Sequence, residues 1–117
     1  TKPIWRMIMP IHLPDVVREY FEADKSSNPD AIAQCFAEDA VVIDEGNTYT
    51  GREAIRQWMA NASTQYTYTV KPIAIAPEHG RIVVTGHLAG NFPGSPVDLR
   101  YIFTFADDKI ARLEIVP

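Results

Sequence analysis

Three side chains have types and settings that suit acid–base chemistry: Asp44, Tyr20 and Tyr101. A carboxylate at the rim of an apolar hollow has its charged form disfavoured. Its proton affinity then rises toward the range of a working general base. Phenolic hydroxyls aimed into the same hollow donate hydrogen bonds to an oxygen on which negative charge develops. Each residue also has a structural role open to it. Tyr20 falls on an apolar helix stripe and Tyr101 lies between Leu99 and Phe103 on an aromatic strand face, where tyrosine ordinarily packs into a core. Asp44 precedes Glu45-Gly46-Asn47 and can be a turn residue. The chemistry therefore depends on the elements that bring the three together.

Those elements follow from hydrophobic periodicity. Leu13, Val16, Val17, Tyr20 and Phe21 form the i, i+3, i+4 stripe of an amphipathic helix that starts around Pro14 and ends near Lys25–Ser27. Asn28 followed by Pro29 caps a second, shorter helix whose buried face is Ile32, Cys35 and Phe36. Ala40 to Asp44 reads as a short strand leading into the Glu45-Gly46-Asn47 turn. Thr50 and Glu53 have the spacing of a capping box, so a third helix starts near Gly51 and buries Ile55, Trp58, Met59 and Ala62. Period-two alternation then takes over. It begins at Tyr66 to Val70 and switches parity across Lys71-Pro72 to Ile73 and Ile75, which predicts a bulge. Further strands are expected over Arg81 to Ala89, Val97 to Phe105 and Lys109 to Val116. The order predicts one α+β domain over residues 1–117, with three N-terminal helices laid on a bent, mixed or antiparallel sheet. A sheet that curls around helices leaves a hollow of the kind that binds small molecules.

Composition narrows the classes. With 117 residues the chain is long enough for one core. Its 46% hydrophobic and 22% charged content is that of a soluble globular chain. Fifteen acidic against eleven basic side chains give a net charge of −4, which argues against a nucleic-acid partner. No apolar run is long enough to span a bilayer. The one cysteine and three dispersed histidines propose no disulfide and no metal site, so neither metal nor cofactor is expected and a reducing, cytoplasmic setting is the default. Residues 1–12 form an apolar extension expected to pack on the domain, cover the hollow's mouth or join a dimer interface.

Three segments carry a family resemblance: Val16-Val17-Arg18-Glu19-Tyr20, Phe36-Ala37-Glu38-Asp39-Ala40 and Thr50-Gly51-Arg52-Glu53-Ala54-Ile55. With the order of elements, they resemble the nuclear transport factor 2-like superfamily, and within it the SnoaL-like and ketosteroid isomerase-like branch. The likeness runs from about Pro14 to Val116. It implies a cone-shaped roll with a ligand pocket at its wide end, and a homodimer through the outer sheet face. Tyr20 matches the oxyanion tyrosine of the isomerases and Asp44 their catalytic aspartate. Tyr101 stands where their second, protonated aspartic acid would be. Met59 replaces a supporting tyrosine, and the loop from Asp44 to Gly51 is shorter, so steroid isomerisation itself is not implied. What the resemblance does imply is proton transfer beside a carbonyl, of isomerase or cyclase/lyase type and without a cofactor. Asp44 is then the base, Tyr20 and Tyr101 the donors, and Phe36, Trp58, Met59, Leu99 and Phe103 the walls around a small hydrophobic molecule. The Asp-Arg-Asp arrangement of related epoxide hydrolases has its nearest candidates in Asp98 and Arg100, which alternation puts on the face away from Tyr101.

Two other classes remain open: a non-catalytic hydrophobic-ligand carrier that keeps the cone, and a protein-interaction domain. Among other polar residues, His87 reads as a partly exposed sheet residue. Cys35 reads as a small buried apolar side chain with no basic partner to activate it.

Overall fold

The computed structural model describes residues 13–117, and the apolar extension falls outside them. Helix α1 is Asp15–Lys25, entered through Pro14 and ending at Ser26. Asp15 in its first turn and Lys25 in its last complement the helix dipole. Its apolar stripe buries Val17, Tyr20, Phe21 and Ala23. Helix α2, Pro29–Gln34, has the expected cap: the Asn28 side chain accepts from the Ala31 amide at 3.1 Å.

Helix α2 is shorter than its apolar residues predict, because Cys35 ends it and Phe36 already belongs to a strand. Strand β1 therefore runs Phe36–Asp44 rather than from Ala40, with an irregular stretch between Phe36 and Val41. The Cys35 carbonyl accepts the Ile110 amide at 2.9 Å, which starts the pairing of β1 with the last strand at this point. A second strand, β2 (Asn47–Thr50), was hidden inside what reads as a turn. Glu45 and Gly46 have φ of 53° and 77°, both left-handed, as a two-residue hairpin of type I′ requires. Asp44 thereby pairs with Asn47.

Helix α3 is Arg52–Gln65, and it buries Ile55, Trp58 and Met59 as expected, whereas Ala62, expected with them, is half-buried because it borders the hollow. The capping box is not formed. Gly51 is the cap, at φ 88° and ψ 157°, which disfavours any side chain, and its amide donates to the Ala40 carbonyl at 2.8 Å. Glu53 is drawn instead into a bidentate pair with Arg56, at 2.7 and 3.1 Å.

Four strands complete the chain: β3 (Tyr68–Glu78), β4 (Arg81–Gly90), β5 (Val97–Ala106) and β6 (Lys109–Val116). The predicted bulge is present, as a register shift between Pro72 and Ala74. The sheet order is β2-β1-β6-β5-β4-β3, antiparallel throughout except for the parallel β1–β6 pair, so the sheet is mixed and open. The helices cover one face. Tyr20 of α1 meets the rings of Phe36, Tyr101 and Phe103 edge-on, with centroids 5.7–6.4 Å apart. Among the described residues no helix is long and apolar enough to cross a membrane.

Candidate active site

Asp44 and Tyr101 lie 57 residues apart in sequence, and the strand registers join them. Asp44 pairs with Ile115 of β6, and Ile115 pairs with Tyr101 of β5. Residues directly opposite one another across a sheet share a face, so all three point to the helix-covered side. Two strand spacings separate the Asp44 and Tyr101 backbones, about 10 Å. The same row continues to Val84 of β4 and Ile75 of β3. Tyr20 approaches from α1, its ring 6.4 Å from that of Tyr101. The carboxyl group and the two phenols thus lie on one side of the sheet, and of the three Asp44 lines the hollow there while Tyr20 and Tyr101 do not.

Asp44 is half-buried beside a hollow of about 490 Å³ whose walls include Tyr49, Trp58, Tyr68, Leu88 and Phe92. Its Oδ2 accepts a hydrogen bond from Trp58 Nε1 at 3.0 Å. Burial pushes the carboxyl above its ordinary range, with the charge of Glu45 adding to the effect, while the Trp58 hydrogen bond and one from the Glu45 backbone oppose it. Tyr49 of β2 sets its ring 6.1 Å from the indole and extends the aromatic wall. At the mouth, Tyr66 and Phe92 meet edge-on, held by two hydrogen bonds between Thr67 and Asn91.

Tyr20 and Tyr101 sit deeper than this wall, 1% and 3% exposed. Burial is the main cause that makes both phenols harder to ionise, and the nearby charges of Asp24 and Asp44 add to it. A phenol so held stays a donor over the whole physiological range. Gly86 makes room for Tyr101: a Cβ there would lie 2.9 Å from Tyr101 Cε1.

Of the expected wall residues, Trp58 lines the hollow. Phe36, Met59 and Phe103 are enclosed in the core at 0–2% exposure, and Leu99 packs on the core's margin. Asp98 is on the outer face, hydrogen-bonded to His87 Nδ1 at 2.7 Å and half-exposed with it. Arg100, at the same parity, is exposed too, so the epoxide-hydrolase arrangement is not assembled at Tyr101. Cys35 donates toward the Ala31 carbonyl at 3.5 Å, and burial pushes its thiol up to about 11.

A second carboxyl group was missed. Asp24 lies one helical turn beyond Tyr20, and its Oδ1 accepts the Tyr68 hydroxyl at 3.1 Å. Burial pushes Asp24 up to about 6, against the lowering effect of that hydrogen bond. The signal was present in the i, i+4 spacing of Tyr20 and Asp24 and in the parity of Tyr68. Charged residues near a helix end are ordinarily solvated, which hid it.

Comparison with known proteins gives a consistent picture. Residues 17–113 match the SnoaL-like domain family. A candidate polyketide cyclase from Sinorhizobium meliloti is similar at 44% identity and a TM-score of 0.84, over 88% of this chain and 94% of that one. A protein of ketosteroid isomerase-like fold from Catenulispora acidiphila, solved with trimethylamine, is similar at 21% identity and a TM-score of 0.79, over 91% and 87% of the two chains. The epoxide hydrolase/cyclase-like enzyme SalBIII, of pyran-ring formation in salinomycin, is similar at 20% identity and a TM-score of 0.74, over 87% of each chain. The latter two share the fold. No curated protein matches.

Proposed function

The chain belongs to the SnoaL-like domain family, and from that membership we propose that it catalyses proton transfer beside a carbonyl in a small hydrophobic molecule, as a cyclase or isomerase. Asp44 takes the proton as the C–H bond breaks, and the bonding pair moves onto the carbonyl oxygen. Tyr20 and Tyr101 donate hydrogen bonds to the resulting enolate. The enolate then either accepts the proton from Asp44 at another carbon, or attacks a second carbonyl of the same molecule and closes a ring. In the latter case the proton on Asp44 passes to the new alkoxide. Donors already in place for the developing oxyanion each contribute several kcal/mol at a dry site. The similarity to the Sinorhizobium protein favours the ring-closing branch.

One observation carries this reading. The register Asp44–Ile115–Tyr101 sets a carboxyl group of raised proton affinity on the same face as the buried phenols. The test is deuterium exchange at the α-carbon of 2-acetylnaphthalene, followed by NMR. Wild type is expected to exchange well above the buffer rate. Asp44→Asn is expected to lose at least a hundredfold while still binding. Exchange that survives in Asp44→Asn removes the base.

A carrier is the second reading, favoured by the nearly complete enclosure of Tyr20 and Tyr101. Binding without exchange, equal in both proteins, supports it.

A further inference from the structure

The contact between Asp24 and Tyr68 has a consequence beyond this mechanism. Tyr68 is at once a wall of the hollow and the partner of Asp24. Its phenol has one proton. With Asp24 ionised, that proton is committed to Oδ1, and the Tyr68 oxygen has only lone pairs to offer a guest. With Asp24 protonated, the carboxylic acid can donate to the Tyr68 oxygen instead, which frees the phenolic O–H to point into the hollow. We propose that Asp24 is a positioning residue whose protonation reverses Tyr68 from hydrogen-bond acceptor to donor, so that the pocket selects carbonyl- or enolate-bearing guests in one state and hydroxyl- or ammonium-bearing guests in the other.

The geometry around Asp24 supports such a switch. The residue sits in the last turn of α1, where the negative end of the helix dipole disfavours a carboxylate. Its ionisable neighbours are Tyr68 from β3, Tyr20 from its own helix and Tyr101 from β5, and all three phenols remain protonated near neutral pH. No base of the described residues donates to Asp24, whose hydrogen-bonding partner is a neutral hydroxyl. Burial therefore prevails, and the proton is exchanged near pH 6.

The test uses 2-acetylnaphthalene, an acceptor-only guest that carries no charge between pH 5 and 8. Wild type is expected to bind it about fivefold more tightly at pH 5 than at pH 7.5, the worth of one neutral hydrogen bond. Asp24→Asn, whose amide can donate permanently to the Tyr68 oxygen, is expected to keep the tighter affinity at both pH values. Tyr68→Phe is expected to bind weakly and without pH dependence. A profile that persists in Asp24→Asn assigns the titration to Asp44 and overturns the proposal. A second readout needs no guest: the Tyr68 ¹³Cζ resonance of the free protein is expected to move with a midpoint near 6, and a stationary resonance overturns the proposal equally. Asp44→Asn separates this inference from the proposed function, since it abolishes exchange but leaves the Asp24-linked movement of Tyr68 intact.

Discussion

At the scale of single residues, the site holds two carboxyl groups of unlike setting. Asp44 has an indole donor and borders open space, whereas Asp24 has a phenol and is the more strongly shifted. That shift is also a statement about stability. In the folded protein Asp24 holds its proton up to about pH 6, while in the unfolded chain it releases it near 3.8. Between those values the folded state binds more protons, so stability falls as pH rises through the window and stays lower above it. The cost at neutral pH is about 3 kcal/mol, from roughly two pKa units. Asp24→Asn removes the ionisation, and its stability relative to wild type is expected to rise by about that amount from pH 4 to pH 7.5. Urea unfolding at the two pH values measures it, and a constant gap between the proteins contradicts it.

At the scale of elements, two backbone features aim the site. The type I′ turn at Glu45-Gly46 ends β1 at Asp44 and sends β2 back to place Tyr49 beside Trp58. On β4, Gly86 leaves the space that the Tyr101 ring occupies. An alanine there would press its Cβ on that ring and on Val70 Cγ1, 3.1 Å away. The ring cannot yield freely, because Phe21 meets it at 5.2 Å and Phe103 stacks at 6.5 Å. Gly86→Ala is therefore expected to cost about 1–3 kcal/mol in urea unfolding and to alter the near-ultraviolet circular dichroism of the aromatic cluster. A neutral substitution with an unchanged spectrum would mean that the ring has slack. The sequence was informative about these elements where one period held without competition: β6 falls over Lys109–Val116 as predicted, and the bulge falls at Pro72. It misled where local signals competed. Thr50 and Glu53 have capping-box spacing, yet Arg56 takes the glutamate and Gly51 takes the cap.

At the scale of the whole molecule, the sheet presents two faces of different character. The inner face holds the core and the site. The outer face carries the cross-strand pair Val83 and Ile102 together with Thr85, Thr104 and Arg100. The homodimer implied by the family resemblance would bury this surface about a twofold axis. Sedimentation equilibrium is expected to give about twice the 13.1 kDa chain mass, and Ile102→Glu, which sets a second acid beside Glu114, is expected to give the monomer. A wild-type protein that sediments at the mass of one chain excludes that assembly.

The sequence by itself determined the class of the fold and the family, and it singled out Asp44, Tyr20 and Tyr101 as the candidates for acid–base work. Periodicity and turn chemistry are local properties, and each is written in a few consecutive residues. Tertiary structure alone decided that Asp24 joins Tyr68 and that Phe36, Met59 and Phe103 are enclosed in the core while Tyr49 and Tyr68 form the wall of the hollow. Those outcomes depend on strand register and on how far α1 reaches across the sheet. A carboxyl group one turn past a core tyrosine is solvated or buried according to what the far strand brings against it, and no nearby residue encodes that.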